Sequence, residues 1–88
     1  MKIQKILIEL KIEEKINKKH GIYRNEIEDA LFEGKPIFYK SKENKYFAVG
    51  HKGRYITIVF LYQKKNAVVV SAYLSSEWQI KLYKRKKK

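Results

Sequence analysis

Two imidazoles, three guanidiniums and seven phenols carry most of the chemistry open to this 88-residue chain. His51 and Arg54 flank a Lys52-Gly53 pair. A hairpin turning there would bring them close together. An imidazole ordinarily titrates at about 6.5, so it can take or give a proton near neutrality. A guanidinium can grip a phosphate through two parallel hydrogen bonds, which an ammonium cannot do. The pair suits acid–base work on a phosphate ester. The plainer readings are an exposed hairpin-end histidine and a solvated turn charge.

The other histidine, His20, stands in "KINKKHGI", residues 15–22. Here the spacing fits a helix end without any chemistry. Gly21 falls where a left-handed residue is wanted, and Ile22 can touch Ile16 one turn back. Lys18, Lys19 and His20 place positive charge in the last turn, where the helix dipole favours it. His20 is therefore a secondary site candidate. The two histidines lie 31 positions apart with no carboxylate pattern beside them, and the chain has no cysteine. That leaves no thiol chemistry and no recognisable metal constellation, so neither metal nor cofactor is expected.

Charge points to the partner. Residues 1–34 hold seven basic and seven acidic side chains, whereas residues 35–88 hold fourteen basic and two acidic ones. The whole net charge of +12 thus lies in the second part. Such asymmetry suits a polyanion, with nucleic acid first and an anionic membrane or acidic protein after it. Six of the seven tyrosines and the one tryptophan lie in this basic part. Aromatics among cations suit stacking on single-stranded RNA, although core filling is expected to take the larger share. Lys2 and Lys5 interrupt the first apolar residues, so no leader is expected. The longest apolar run, Ile58 to Tyr62, is far shorter than the roughly 20 residues of a membrane span. A cytoplasmic location is expected.

These residues need elements to hold them. Residues 3–9 predict a strand, residues 11–20 a helix ended by Gly21, and residues 25–33 a second helix. Asn25 is its expected cap, with Glu28 completing a capping box. Strands follow over 36–40, 45–51, 54–62 and 67–73, joined by short polar links that predict an antiparallel meander. In 54–62, Ile56, Ile58 and Phe60 share one face and Tyr55, Val59 and Leu61 the other. Both faces are apolar, as in a central strand. Ser75 is the expected cap of a last helix bearing Trp78, Leu82 and Tyr83, and residues 84–88 are expected to fray. The order β-α-α-β-β-β-β-α makes a single α+β domain, with its helices expected on one face of an antiparallel sheet.

Several stretches in this order resemble the BrnT family of toxins, within the wider RelE/ParE-like group. They are "KHGI" (19–22), "EIEDAL" (26–31), "GRYITIVF" (53–60), "VVVSAY" (68–73) and a closing helix with Tyr83 and a basic end. The resemblance covers nearly the whole chain. It implies a RelE/ParE-like fold and a ribonuclease that cleaves RNA and arrests translation. It also implies a partner antitoxin, usually DNA-binding and encoded nearby. Arg54 matches the family's Gly-Arg, and Tyr83 its tyrosine, which could stack on a base or move a proton. Where the family ends a strand with Ser-Ala-Arg, this chain has Ser71-Ala72-Tyr73. Tyr73 offers a hydroxyl and a stacking face instead, or simply packs. Where the family carries Glu-Arg, this chain has Gln79 and Ile80. The candidate catalytic residues are thus Arg54, Tyr83, His51, Tyr73 and His20. Lys45, Lys52, Lys81, Lys84 and Arg85 are the candidate phosphate contacts. Two functions stay open: a metal-independent ribonuclease, and a module that binds RNA or antitoxin without catalysis.

Overall fold

The chain forms β1 (Lys5–Leu7), α1 (Leu10–His20), α2 (Arg24–Phe32), β2 (Ile37–Lys40), β3 (Lys45–Lys52), β4 (Arg54–Gln63), β5 (Asn66–Leu74) and α3 (Glu77–Lys86). This is the expected order, seen in a computed structural model that describes residues 1–86. β2 to β5 make the antiparallel meander. β1 joins the far edge beside β5 and runs parallel to it, so the sheet order is β1-β5-β4-β3-β2 and one pairing is parallel. A parallel neighbour needs a long crossover, which the intervening helices and strands supply.

Side-chain alternation divides β4 between two layers. Ile56, Ile58 and Phe60 point to the face where Ile16, Ile22, Ile27, Ala30 and Leu31 complete the main core. Thr57 leaves by the other face and meets Gln79 of α3. So α3 lies across the sheet from α1 and α2, not on the same face as the sequence reading had it. The apolar residues on both sides of β4 explain this: each face needs cover. Within β5, Val59 pairs with Ser71 and Phe60 with Val69, which leaves Val70 as the extra residue of a bulge.

Caps sit one or two residues from their expected places. α2 is capped by Tyr23 rather than Asn25, and the Tyr23 N–H donates to the Glu26 carboxylate at 3.1 Å. α3 begins after Ser76 rather than Ser75, and Gln79 reaches back to accept the Ser76 N–H at 2.8 Å. That is the capping-box geometry with glutamine in the third position. α3 continues through Lys86 and so takes in residues 84–86 of the expected frayed tail. The last two residues of that tail lie outside the described residues.

α2 crosses β3 at very short range. A Cβ on Gly50 would fall 2.3 Å from the Ala30 carbonyl oxygen and 3.1 Å from the Ala30 Cβ. A Cβ on Gly34 would fall 2.6 Å from that same oxygen and 2.8 Å from the His51 nitrogen. The Gly34 carbonyl accepts the His51 N–H at 3.1 Å and the Tyr83 hydroxyl at 2.7 Å. One glycine thus joins the end of α2 to β3 and α3. Gly50→Ala is expected to lower the unfolding free energy by about 1–3 kcal/mol, because the obstacle is backbone and the helix must move. Urea denaturation measures this, and an unchanged midpoint would contradict the tight crossing.

Candidate functional site

The sheet face under α3 is organised around Gln79, which is only 2% exposed. Its Oε1 accepts from Thr57 Oγ1 at 3.0 Å and from the Ser76 N–H and hydroxyl. Its Nε2 donates to the Tyr39 hydroxyl at 3.1 Å and the Tyr73 hydroxyl at 3.0 Å. Only an amide both accepts and donates in this way; a glutamate carboxylate would have no N–H for the two phenols. The glutamine at this place therefore has a local reason. Burial pushes the Tyr39 phenol up, and the bond from Gln79 partly opposes that.

Tyr73 stands at the β5 edge, its ring centroid 6.3 Å from that of His20. His20 ends α1. Gly21 after it is left-handed, with φ of 66°, and donates its N–H to the Asn17 carbonyl. Ile16 and Ile22 are both buried in the core. The cap expected from the sequence is thus formed, and it also fixes His20 at the rim of a cleft. That cleft, about 260 Å³, runs between α1 and the bulged part of β5. Lys15, Lys19, His20 and Ser71 are its polar lining.

His51 forms a second cluster on the same sheet face. The register pairs it with Tyr55 across the hairpin, and the two rings stack at 3.9 Å, 3° from parallel. Tyr83 stands edge-on to both, and Lys84 Nζ lies 5.9 Å from the centre of the Tyr55 ring. Tyr83 is buried with its hydroxyl donated to Gly34, and that burial, then the nearby Tyr55, raises its pKa. Its place is that of a pin under the stack of the exposed His51 on the half-buried Tyr55. His51 and Tyr73 are separated by two strand spacings, about 10 Å, and by two residues along the strands.

Arg54 is not in this face. Alternation sends its side chain to the α1–α2 side, so His51 and Arg54 leave opposite faces of the hairpin they share. Arg54 grips the Glu26 carboxylate through Nε at 2.9 Å and Nη2 at 2.7 Å, and Nη2 also donates to the Gly21 carbonyl at 3.1 Å. The guanidinium thus ties the start of β4 to the joint that carries His20. Lys52 is paired with Glu33, and Lys81 with Glu77 at 3.5 Å. Lys45, Lys84 and Arg85 are exposed. Among the described residues no three His, Cys, Asp or Glu side chains gather as a metal-binding group. Among the described residues no helix is long and apolar enough to cross a membrane.

The sequence reading missed Tyr55, Glu26 and Gln79. Two of these had a signal. Positions 51 and 55 are symmetric about Gly53, and Ser76-x-x-Gln79 has capping-box spacing. Glu26 had none, since its partner lies 28 residues away. Burial alone would raise the Glu26 pKa, but the Arg54 bonds and the Tyr23 N–H outweigh it and hold the carboxyl below its ordinary 4.5. Its contribution is therefore full above about pH 4.5 and lost as pH falls through the lower folded value. Glu26→Gln is expected to flatten that acid limb of the stability–pH curve and to cost on the order of 1 kcal/mol at pH 7, since the pair is partly solvated. Denaturant midpoints at several pH values check this; an unaltered acid limb would contradict it.

The chain matches no protein-family model, and no curated protein matches it in sequence. A solved structure does match: the ribonuclease toxin BrnT of Brucella abortus, with a TM-score of 0.69 over 84% of this chain and 99% of that one. The two are 19% identical, so the likeness is one of fold. The fold that the sequence resemblance implied, a BrnT-like α+β sheet with three helices, is the fold found.

Proposed function

We propose that this chain is a metal-independent endoribonuclease toxin that arrests translation and is held in check by an antitoxin encoded nearby. The observation that supports this best is the fold shared with a ribonuclease toxin. The sheet face under α3 and the adjoining end of α1 supply groups that suit the reaction.

We assign His20, which lines the basic cleft, and Tyr73, its ring centre 6.3 Å from that of His20, as the proton-handling pair. His20 takes the proton of a ribose 2′-hydroxyl. The 2′-oxygen attacks the adjacent phosphorus and the bond to the 5′-oxygen breaks, which leaves a 2′,3′-cyclic phosphate. Tyr73 gives its proton to the departing 5′-oxygen. The bond it accepts from Gln79 Nε2 leaves its own hydrogen free to point outward and steadies the phenolate. Lys15 and Lys19 neutralise the charge that develops on the phosphate. His51 and Lys84 sit farther along the strand path, where they contact the substrate rather than the scissile bond. Lys45, Lys81 and Arg85 add sequence-independent attraction to the phosphates. Arg54, the first candidate from the sequence, acts as a positioning residue: it holds Gly21, and so His20, in place.

A second reading is a binding module without turnover. It is favoured by the pairing of Arg54 with Glu26, which occupies the fork that would otherwise grip a phosphate. One assay separates the two. Purified protein incubated with RNA in EDTA is expected to cut it. Tyr73→Phe and His20→Ala are each expected to slow cutting about 100- to 10,000-fold while RNA binding is kept. Binding without cutting by the wild type supports the second reading, and equal cutting by both variants overturns the assignment.

A further inference from the structure

An aromatic ladder that the reaction does not use runs beside this site. Tyr39 and Phe47 are a cross-strand pair, and their rings stack at 5.0 Å, 4° from parallel. Trp78, from the first turn of α3, leans on Tyr39 with ring centres 6.0 Å apart. Trp78 is 58% exposed. A large indole left open to water at a helix start gains little for folding. Its support, however, is fixed: the Tyr39 hydroxyl is held by the buried Gln79, the same amide that holds Tyr73. One rigid hub thus sets both the proposed proton donor and the ladder. Charge around the ladder is mostly positive. Lys45 leaves the same face of β3 two residues before Phe47, and Lys81 stands one turn along from Trp78. Glu77, beside Trp78 at the start of α3, is paired with Lys81.

We propose that Trp78, backed by Tyr39 and Phe47, is a base-stacking subsite that selects single-stranded RNA. The inference rests on the RNA reading above and adds to it which form of RNA is taken and by which surface. Flat apolar rings among cations fit an unpaired base with its phosphates on either side, since every base offers a π-face. A duplex keeps its bases stacked on one another and offers Trp78 nothing to cover.

The chain carries its own reporter, because Trp78 is the sole tryptophan. A 12-nucleotide 2′-O-methyl oligoadenylate, which lacks the nucleophilic hydroxyl and so cannot be cut, is titrated into the protein. Trp emission and the anisotropy of an end-labelled copy are followed together. The expected result is emission quenching that saturates with the anisotropy, little quenching by a duplex of the same length, and none by inorganic polyphosphate. Trp78→Ala is expected to weaken oligonucleotide binding about 5- to 150-fold, and Trp78→Phe to weaken it much less. Binding by anisotropy with unchanged emission and an unaffected Trp78→Ala overturns the stacking subsite and leaves the RNA reading standing. No binding at low salt overturns both. Emission that changes with protein concentration alone shows Trp78 covered by a second copy and overturns the subsite.

Discussion

The close crossing of α2 over β3 is the constraint on which the other contacts depend. Ala30 can lie against β3 only because positions 34 and 50 lack a Cβ. With the helix seated there, the Gly34 carbonyl reaches both the His51 N–H and the Tyr83 hydroxyl. That one oxygen links the helical layer, the sheet and α3. It also fixes the height of Tyr83, against which His51 and Tyr55 are set. Buried main-chain carbonyls are seldom left without a partner, and here the partners belong to the proposed RNA-binding face.

The two sides of the sheet have divided tasks. The α1–α2 side holds the apolar core and, at its margin, the Arg54–Glu26 tie. The α3 side holds the polar hub of Gln79, the exposed Trp78 and the His51–Tyr55 stack. Tyr73 and Gln79 stand where the resembled family carries charged residues, and here they hydrogen-bond to each other. In the proposed chemistry a phenol supported by an amide replaces a cation near the scissile phosphate. Such a replacement keeps a proton donor in the site and gives up a fixed positive charge, which Lys15 and Lys19 in the cleft would make good.

Much of this architecture could be read from local pattern. The Ile16–Gly21–Ile22 cap, the meander of four strands and the two-faced β4 all depend on spacing within a few residues, and each was found. What could not be read depends on partners distant in the chain. The pairing of β1 with β5 joins residues about sixty positions apart. The side of the sheet taken by α3 follows from the need to cover Thr57 and Val59, which a count of helices does not reveal. Arg54 shows the same limit at the site. The sequence marked it correctly as a guanidinium at a hairpin end, but strand alternation turns it away from His51 and toward Glu26. The chain's own carboxylate thus holds the fork that pattern reading had offered to a phosphate.

RNA is proposed to bind the sheet face under α3, with Arg54 serving the other side. Amide chemical-shift mapping tests this most directly, with ¹⁵N-labelled protein and the uncleavable oligoadenylate. The largest shifts are expected at His20, Phe47, His51, Tyr55, Tyr73 and Trp78. Shifts centred instead on Glu26 and Arg54, with the α3 face unmoved, would contradict it.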